Sequence, residues 1–486
     1  MKSDTTSDTT EVRRATYVYV LASIAAAGGF NGGYDLMLMS GAILSMSRSF
    51  HIYSMHVVLF SHTVGGAWIE GFTMTSAWYG MLAGMIVAGY LTDRIGRRGT
   101  LIFGAVLLII SALGTTMPRT LLIWNVFRIV GGVGGGLTSI ASPVYISEIA
   151  PAEKRGALVT FNILAVVLGA LLANLATYVI ARFLGTNPEC WRWMFASAAP
   201  PMMIFLVGLF FIPESPRWLV MQDRVPEART ILTRVGGADH MAKEIREINQ
   251  SLGSDIGSYR DLIRPGARMA LLITVGLVVF QQLAGPSTLS YYGPTIFLDA
   301  GMSSDTSAIG STVILRVGDL VCTLLTIYLV DKLGRRSLLL VGILGVGLGQ
   351  FLMGLFFFKH SMSVWVLLAF LLCGVAFDLS LGALPWLITT ELFSNRLRAR
   401  GMAIVSFMST VLGLVLAQVF PPFLQFSERH FGSVAGVFWT FAAFCVGAFV
   451  FSLFLVPETK GRSLEEISSS YMGRALSSET LTKPDY

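Results

Sequence analysis

Stretches of 18 or more predominantly apolar residues recur along the whole 486-residue chain, separated mostly by short polar links. Each is long enough to cross roughly 30 Å of hydrocarbon. Such a chain has few options. Lipid offers no hydrogen-bond partners, so every crossing segment must satisfy its own backbone as a helix. Twelve spans are expected, at roughly 15–45, 72–92, 100–117, 121–148, 157–184, 192–212, 267–299, 306–330, 337–358, 362–393, 400–426 and 430–456. Composition points the same way. Charged residues make up 13% of the chain, about half of the roughly 25% carried by soluble domains. The class is an all-α polytopic membrane protein with the lipid bilayer as its surroundings.

The polar segments organise the rest. The first apolar segment has no small-residue cleavage site after it and reads as an uncleaved first span. Residues 217–266 contain EARTILTRVGG and HMAKEIREINQSL, with the periodicity of short amphipathic helices. They are expected to form a cytoplasmic helical linker between an N-terminal half, 1–216, and a C-terminal half, 267–456, followed by a cytoplasmic tail, 457–486. With both termini in the cytoplasm, 27 of the 35 Lys and Arg fall in inner segments and 6 in outer links. That is the asymmetry of the positive-inside rule, and it accounts for the net charge of +6. No arginine-rich tract interleaved with aromatics is present, so nucleic acid is not an expected partner. Cys190, Cys322, Cys373 and Cys445 form no CxxC pair, and His51, His56 and His62 are loosely spaced. No metal or other cofactor is expected. No nucleophile–base set or phosphate loop appears, so the chain does not read as an enzyme.

The chain also repeats itself. DRIGRRGTLIFG at 93–104 returns as DKLGRRSLLLVG at 331–342. SPVYISEIAPAEKRG at 142–156 returns as LPWLITTELFSNRLRARG at 384–401, and PESPRWL at 213–219 as PETKGRSLEE at 457–466. Two six-span halves related by duplication are the architecture of secondary transporters, whose sites lie near the midplane. Each copy carries acids and bases as a set at the inner ends of its spans. In the first half these are Asp93, Arg94, Arg97, Arg98, Glu148, Arg155 and Glu214; in the second, Asp331, Lys332, Arg335, Arg336, Glu391, Arg398 and Glu458. Topology alone needs the bases and not the acids. The sets are expected to pair, to hold the inner ends together while the outside is open, and to part in the inward-open state.

Asp35 lies in the first apolar segment, 20 residues after Ala15, and Arg128 lies 20 residues before Glu148. At about 1.5 Å per residue both stand roughly 30 Å above the inner ends of their spans. The two are therefore expected to meet. Ionisable residues inside a membrane usually face the bundle interior and are functional. A neighbouring arginine and burial act in opposite directions on such a carboxyl group, so its proton affinity is open to adjustment by hydration and substrate.

These motifs resemble the sugar porter family of the major facilitator superfamily. The likeness rests on DRIGRR, DKLGRR, VGGVGGGLTSIASPVYISEIAPAEKR, PESPRWL, QQLAGPSTLSYYGP, PWLITTELF and PETKGRSLEE, seven motifs in order over nearly the whole chain. The resemblance implies the major facilitator fold, twelve helices in two six-helix pseudo-symmetric halves, working as a monomer in the cell membrane. It implies that Asp35 and Arg128 couple transport to protons, because proton symporters of the family carry Asp at this place and facilitators carry Asn. It implies substrate contacts from Gln281, Gln282, Ser287, Tyr291, Tyr292 and Trp386. Amides read sugar hydroxyls through paired donors and acceptors, and an aromatic face covers the C–H side of the ring.

Other positions depart from the family pattern. Gly32 stands where hexose carriers often have an aromatic, Ala170 where they have Gln, Ser287 for an asparagine, and Ser409–Thr410 for an Asn–Trp pair. The substrate site is therefore expected to be roomier than that of a simple hexose carrier. RVGDLV also brings Arg316 and Asp319 into span eight, three residues apart on one face, and FDLSLG brings Asp378 into span ten. Either these form a neutralising pair, or Arg316 receives a substrate carboxylate by a two-point contact. The function expected is proton-coupled symport of a sugar, polyol or related hydroxylated small molecule by alternating access. A facilitative uniporter and a proton symporter of a sugar acid or cyclic hydroxy acid are the alternatives. The glycine run GGVGGGL suits close helix packing rather than a phosphate site.

Overall fold

The computed structural model describes residues 4–59, 62–151, 154–185, 187–253, 259–360, 363–394 and 397–459. The chain divides into two units, Met1–Ser254 and Asp255–Tyr486, and the division falls inside the stretch expected to link the halves.

In the first unit, α1 (Asp4–Ser49) leads through a short turn into a two-stranded hairpin, β1 (Val57–Leu59) and β2 (His62–Val64). The strands are antiparallel, with Val57 opposite Val64. The membrane helices α2 (Gly66–Ile95), α3 (Arg97–Gly114), α4 (Leu121–Ile149) and α5 (Arg155–Leu184) follow. The sixth span is made of α6 (Cys190–Ala196) and α7 (Ala199–Phe211), and the linker of α8 (Pro216–Met221) and α9 (Val225–Gly253). The hairpin is strand where only helix was expected. The outer link between the expected spans 15–45 and 72–92 is also shorter than those bounds leave for it, because α2 begins at Gly66. Trp68 and Glu70 therefore lie on a helix, and the buried Glu70 accepts a hydrogen bond from Tyr53 Oη at 3.0 Å.

Small residues let these helices approach closely. On α2 and α4, a Cβ added at Gly80 would stand 2.0 Å from the Ile129 carbonyl oxygen, and one at Gly132 2.0 Å from that of Ala77. The glycine run of α4 thus serves backbone-to-backbone packing. One hydrophobic cluster of this unit joins α1, α3, α4, α5 and α7, and Val235 of α9 belongs to it. The linker is thus not freestanding: α9 docks on the first unit, bends at Gly237 (φ 90°), and packs on α8 through Leu219, Val220, Ala228 and Ile248.

The second unit contains α10 (Pro265–Leu283), α11 (Pro286–Asp299), α12 (Asp305–Leu333), α13 (Arg335–Phe358), α14 (Ser363–Phe377), α15 (Leu384–Leu392), α16 (Arg398–Phe431) and α17 (Ala435–Leu455). Two expected spans are broken. The span 267–299 divides at Gly285 (φ 96°), followed by Pro286, which starts α11. The span 362–393 divides at Asp378–Gly382, one turn of π-helix, before Pro385. Gln350 Nε2 donates to the Ala284 carbonyl at 2.8 Å beside the first break. Gln281 Nε2 donates to the Leu381 and Gly382 carbonyls at 2.6 and 3.2 Å at the second. Side-chain amides thus satisfy backbone groups that the interrupted helices release.

Ten of the expected spans coincide with helical segments long and apolar enough to cross a membrane. The other two, 15–45 and 72–92, lie within α1 and α2, whose 46 and 30 residues exceed a crossing in length. The chain is a multi-pass membrane protein.

Candidate functional site

Asp35 and Arg128 meet within the first unit. Arg128 Nη1 stands 2.6 Å from Asp35 Oδ1, and Nη2 is 3.4 Å from the Asp35 main-chain oxygen. Both residues are buried, with relative exposures of 6% and 2%. The guanidinium also lies over the rings of Trp124 and Phe195, 5.8 and 5.5 Å from their centroids. Aromatic faces attract a desolvated cation, by about 2 kcal/mol in favourable cases. Arg128 therefore keeps partners even if Asp35 loses its charge. A cavity of about 160 Å³ opens beside Asp35. Its walls come from α1, α2, α3, α4 and α5, and its polar lining includes Thr138, Ser139, Ser142 and Asn162. A Cβ at Gly32 or Gly135 would meet no atom within 4 Å, so these glycines leave the space open.

The inner charges of the first unit form one cluster. Gly96 turns the chain at φ 86° into the start of α3. The Glu214 carboxylate accepts the main-chain N–H groups of Arg97 and Arg98 at 2.9 and 3.0 Å, an anion seated at a helix N-terminus. Arg97 reaches both oxygens of Glu148, Nε to Oε2 at 2.8 Å and Nη2 to Oε1 at 2.9 Å. The Ser215 hydroxyl also donates to Glu148, and Asp93 stands 3.4 Å from Arg97. Arg98 donates to the carbonyls of Leu209 and Phe210. Two residues of the expected set lie apart. Arg94 turns to Tyr90, and Arg155 pairs with Glu244 of α9 at 3.6 Å.

The second unit repeats the arrangement. Gly334 has φ 83°, and Glu458 accepts the N–H groups of Arg335 and Arg336 at 3.0 and 3.1 Å. Arg335 meets Glu391 Oε1 from Nε at 3.2 Å and from Nη2 at 3.1 Å, and Thr459 Oγ1 donates to Oε2 at 2.5 Å. Arg336 donates to the Leu453 carbonyl. Lys332 bonds Tyr328, and Arg398 Nε is buried without a partner. The side chain of Asp331 lies outside the described residues, as does the tail beyond Thr459.

The residues expected to touch substrate are divided by their surroundings. Gln281 and Gln282 are buried on α10. Their nitrogens are engaged, Gln281 at the π turn and Gln282 on Ser409 Oγ at 2.9 Å. Both Oε1 atoms are buried without a partner and so leave two acceptors for hydroxyl donors. Tyr292 donates to the Ala417 carbonyl at 2.8 Å and packs on Phe420, a structural engagement. Tyr291 is also buried, whereas Ser287 and Trp386 are half-buried. Arg316 Nη1 contacts Asp319 Oδ2 at 2.5 Å, so the guanidinium already has a carboxylate partner on its own helix, while its Nε is buried without one.

Four participants escaped the sequence reading. Trp124 and Phe195 cover Arg128, and Ser215 and Thr459 complete the two inner clusters. The hydroxyls had a signal, since each directly follows the glutamate of PES or PET. The aromatics had none, because their places depend on how the helices pack.

Comparison with known proteins gives a consistent picture. Residues 21–471 match the family described as sugar (and other) transporter. The D-xylose-proton symporter of Escherichia coli (strain K12) is 33% identical over 478 residues, which cover 94% of this chain and 96% of that protein. The arabinose-proton symporter of Bacillus subtilis (strain 168) is 32% identical over 461 residues, covering 94% and 95%. The solved inward open conformation of the xylose transporter XylE from E. coli aligns with a TM-score of 0.79, at 32% identity, over 93% of this chain and 100% of that one. XylE bound to 6-bromo-6-deoxy-D-glucose aligns at 0.74, also at 32% identity, over 94% and 100%.

Proposed function

Because this chain belongs to the sugar (and other) transporter family, we propose that it is a secondary active transporter that moves a sugar or related polyol together with a proton by alternating access. The observation that carries this reading is the buried Asp35–Arg128 pair at the edge of a cavity. Relatives named as proton symporters of xylose and arabinose support the same chemistry.

In this reading Asp35 is the proton acceptor. Ionised, it neutralises Arg128. When a proton arrives on its carboxyl group, the ion pair is lost, and the guanidinium is left with Trp124, Phe195 and the Asp35 carbonyl as supports. Both charge states therefore have partners, which a reversible proton carrier requires. Gln281 Oε1 and Gln282 Oε1 accept hydroxyl donors of the substrate, and Trp386 covers an apolar face of its ring. The clusters around Arg97–Glu148 and Arg335–Glu391 act as inner latches that open and close during the cycle. The chain works as a monomer in the cell membrane with both termini in the cytoplasm.

The test is substrate-dependent proton flux in liposomes across a panel of sugars, polyols and sugar acids. A substrate should drive external alkalinisation, and Asp35→Asn should abolish it while substrate exchange persists. Transport without proton movement in the unaltered protein would identify a uniporter.

A further inference from the structure

The cavity beside Asp35 is shaped by more than the ion pair. Seven of its lining residues are glycines of α1 and α4. Close packing accounts for most of them. A Cβ at Gly33 would stand 2.1 Å from the Val166 carbonyl oxygen, and one at Gly131 2.3 Å from Ser111 Oγ. Gly32 and Gly135 are different. A Cβ at either would meet no atom within 4 Å, and neither has a positive φ. Gly89 and Gly156 share that freedom within helices, but both are exposed. Glycine inside a helix is less favourable than alanine. Gly32 and Gly135 thus lower stability for no reason of packing or backbone. What their missing side chains provide is space in the cavity.

The chemistry of the walls decides what that space can hold. The lining includes the apolar Leu36, Met81, Leu108 and Val166. The main-chain N–H groups of mid-helix glycines are bonded within their helices. Thr138 Oγ1 donates to the Gly135 carbonyl at 3.1 Å, Ser139 Oγ to that of Gly136 at 2.9 Å, and Ser142 Oγ to that of Ala25. Each lining hydroxyl has therefore given its proton to the backbone. Asn162 Oδ1 accepts from Ser142 Oγ at 3.2 Å, which leaves Asn162 Nδ2 as the side-chain donor open to a ligand. A hydroxyl group moved there from water finds few partners, and burying it unmatched is costly. An apolar group gains by leaving water. The volume of about 160 Å³ is that of roughly five molecules of liquid water, room for a short chain or a small ring.

We propose that this cavity is a subsite for an apolar substituent of the substrate, and that the substrate class is a glycoside, a sugar ring bearing a small alkyl or aryl group. The substituent fills the space beside Gly32 and Gly135. Asn162 Nδ2 donates to the oxygen that joins it to the ring.

This inference rests on the sugar-transport reading and deepens it by naming the substrate class. It is tested by calorimetric binding to the purified full chain in detergent. The probes are D-xylose, L-arabinose, D-glucose and their methyl, propyl and butyl glycosides. In at least one series the affinity should rise about fourfold with each methylene added to the aglycone. Gly32→Leu and Gly135→Leu, which place a side chain in the cavity, should flatten that rise. Gly32→Ala and Gly135→Ala should remove part of it, and they keep the test open if the leucine variants do not fold. The alanine variants should also raise Tm, and a fall would mean that packing requires these glycines and would overturn the proposal. Sugars that bind equally with and without an aglycone overturn the subsite, with water as the occupant of the cavity, and leave the transport reading standing. A rise that persists undiminished in folded variants puts the substituent elsewhere and overturns it too. If none of the sugars or glycosides binds, the sugar reading itself falls and the subsite with it.

Discussion

The two inner clusters share a loop sequence and a backbone turn, yet they are not equally built. In the first unit Arg97 reaches both oxygens of Glu148, and the side chains are 7% and 9% exposed. In the second, both nitrogens of Arg335 reach a single oxygen of Glu391, at 3.2 and 3.1 Å, with exposures of 14% and 24%. A fork-to-fork arrangement is stronger and more directional than a shared oxygen. Solvent also lowers what a partly exposed pair contributes, whereas removing one partner of a buried pair leaves an uncompensated charge. The duplication thus preserved the plan while the strengths diverged. The first unit should hold its inner end more firmly than the second.

This inequality can be broken directly. Glu148→Gln should have the largest effect, about 3 kcal/mol for a deeply buried pair, and Glu391→Gln about 1 kcal/mol. Thermal unfolding in detergent should give a clearly larger fall in Tm for the first variant. Cysteines engineered at the inner ends should label faster in both, and more so for Glu148→Gln. Equal effects would mean that the geometry does not set the strength.

The glycine turns sharpen the comparison at a smaller scale. A Cβ at Gly96 would stand 2.2 Å from Glu214 Oε2, and one at Gly334 2.8 Å from Glu458 Oε2. Each position also has φ near 85°, which costs a side chain about 1 kcal/mol or more. Gly96→Ala should therefore lower Tm more than Gly334→Ala, because it must push its capping carboxylate further. The smallest effect is expected where a hydroxyl supports the pair. Ser215→Ala and Thr459→Val should each cost about 1 kcal/mol, the net contribution of one hydrogen bond. A deficit of several kcal/mol for either would show that the hydroxyl holds more than the glutamate.

Much of the architecture was legible because its signals are local. Apolar length placed the spans, and the duplicated loops placed the inner clusters. Counting at 1.5 Å per residue brought Asp35 and Arg128 to one level, and the structure joins them at 2.6 Å. Breaks within spans were harder to read. Gly285–Pro286 was a visible interruption, but the π turn at Asp378–Gly382 depends on Gln281 satisfying carbonyls 100 and 101 residues away in sequence. The departure of Arg155 to Glu244 was hidden for a similar reason. It follows from α9 docking on the first unit, which amphipathic periodicity alone does not specify. Contacts between distant segments decided each of these cases.

The most direct test of the central claim is proton movement through Asp35. In proteoliposomes presented with a transported sugar, the unaltered protein should alkalinise the outside. Asp35→Asn should exchange labelled for unlabelled sugar and move no protons. If Asp35→Asn still moves protons with the sugar as the unaltered protein does, Asp35 only partners Arg128 and the coupling site lies elsewhere.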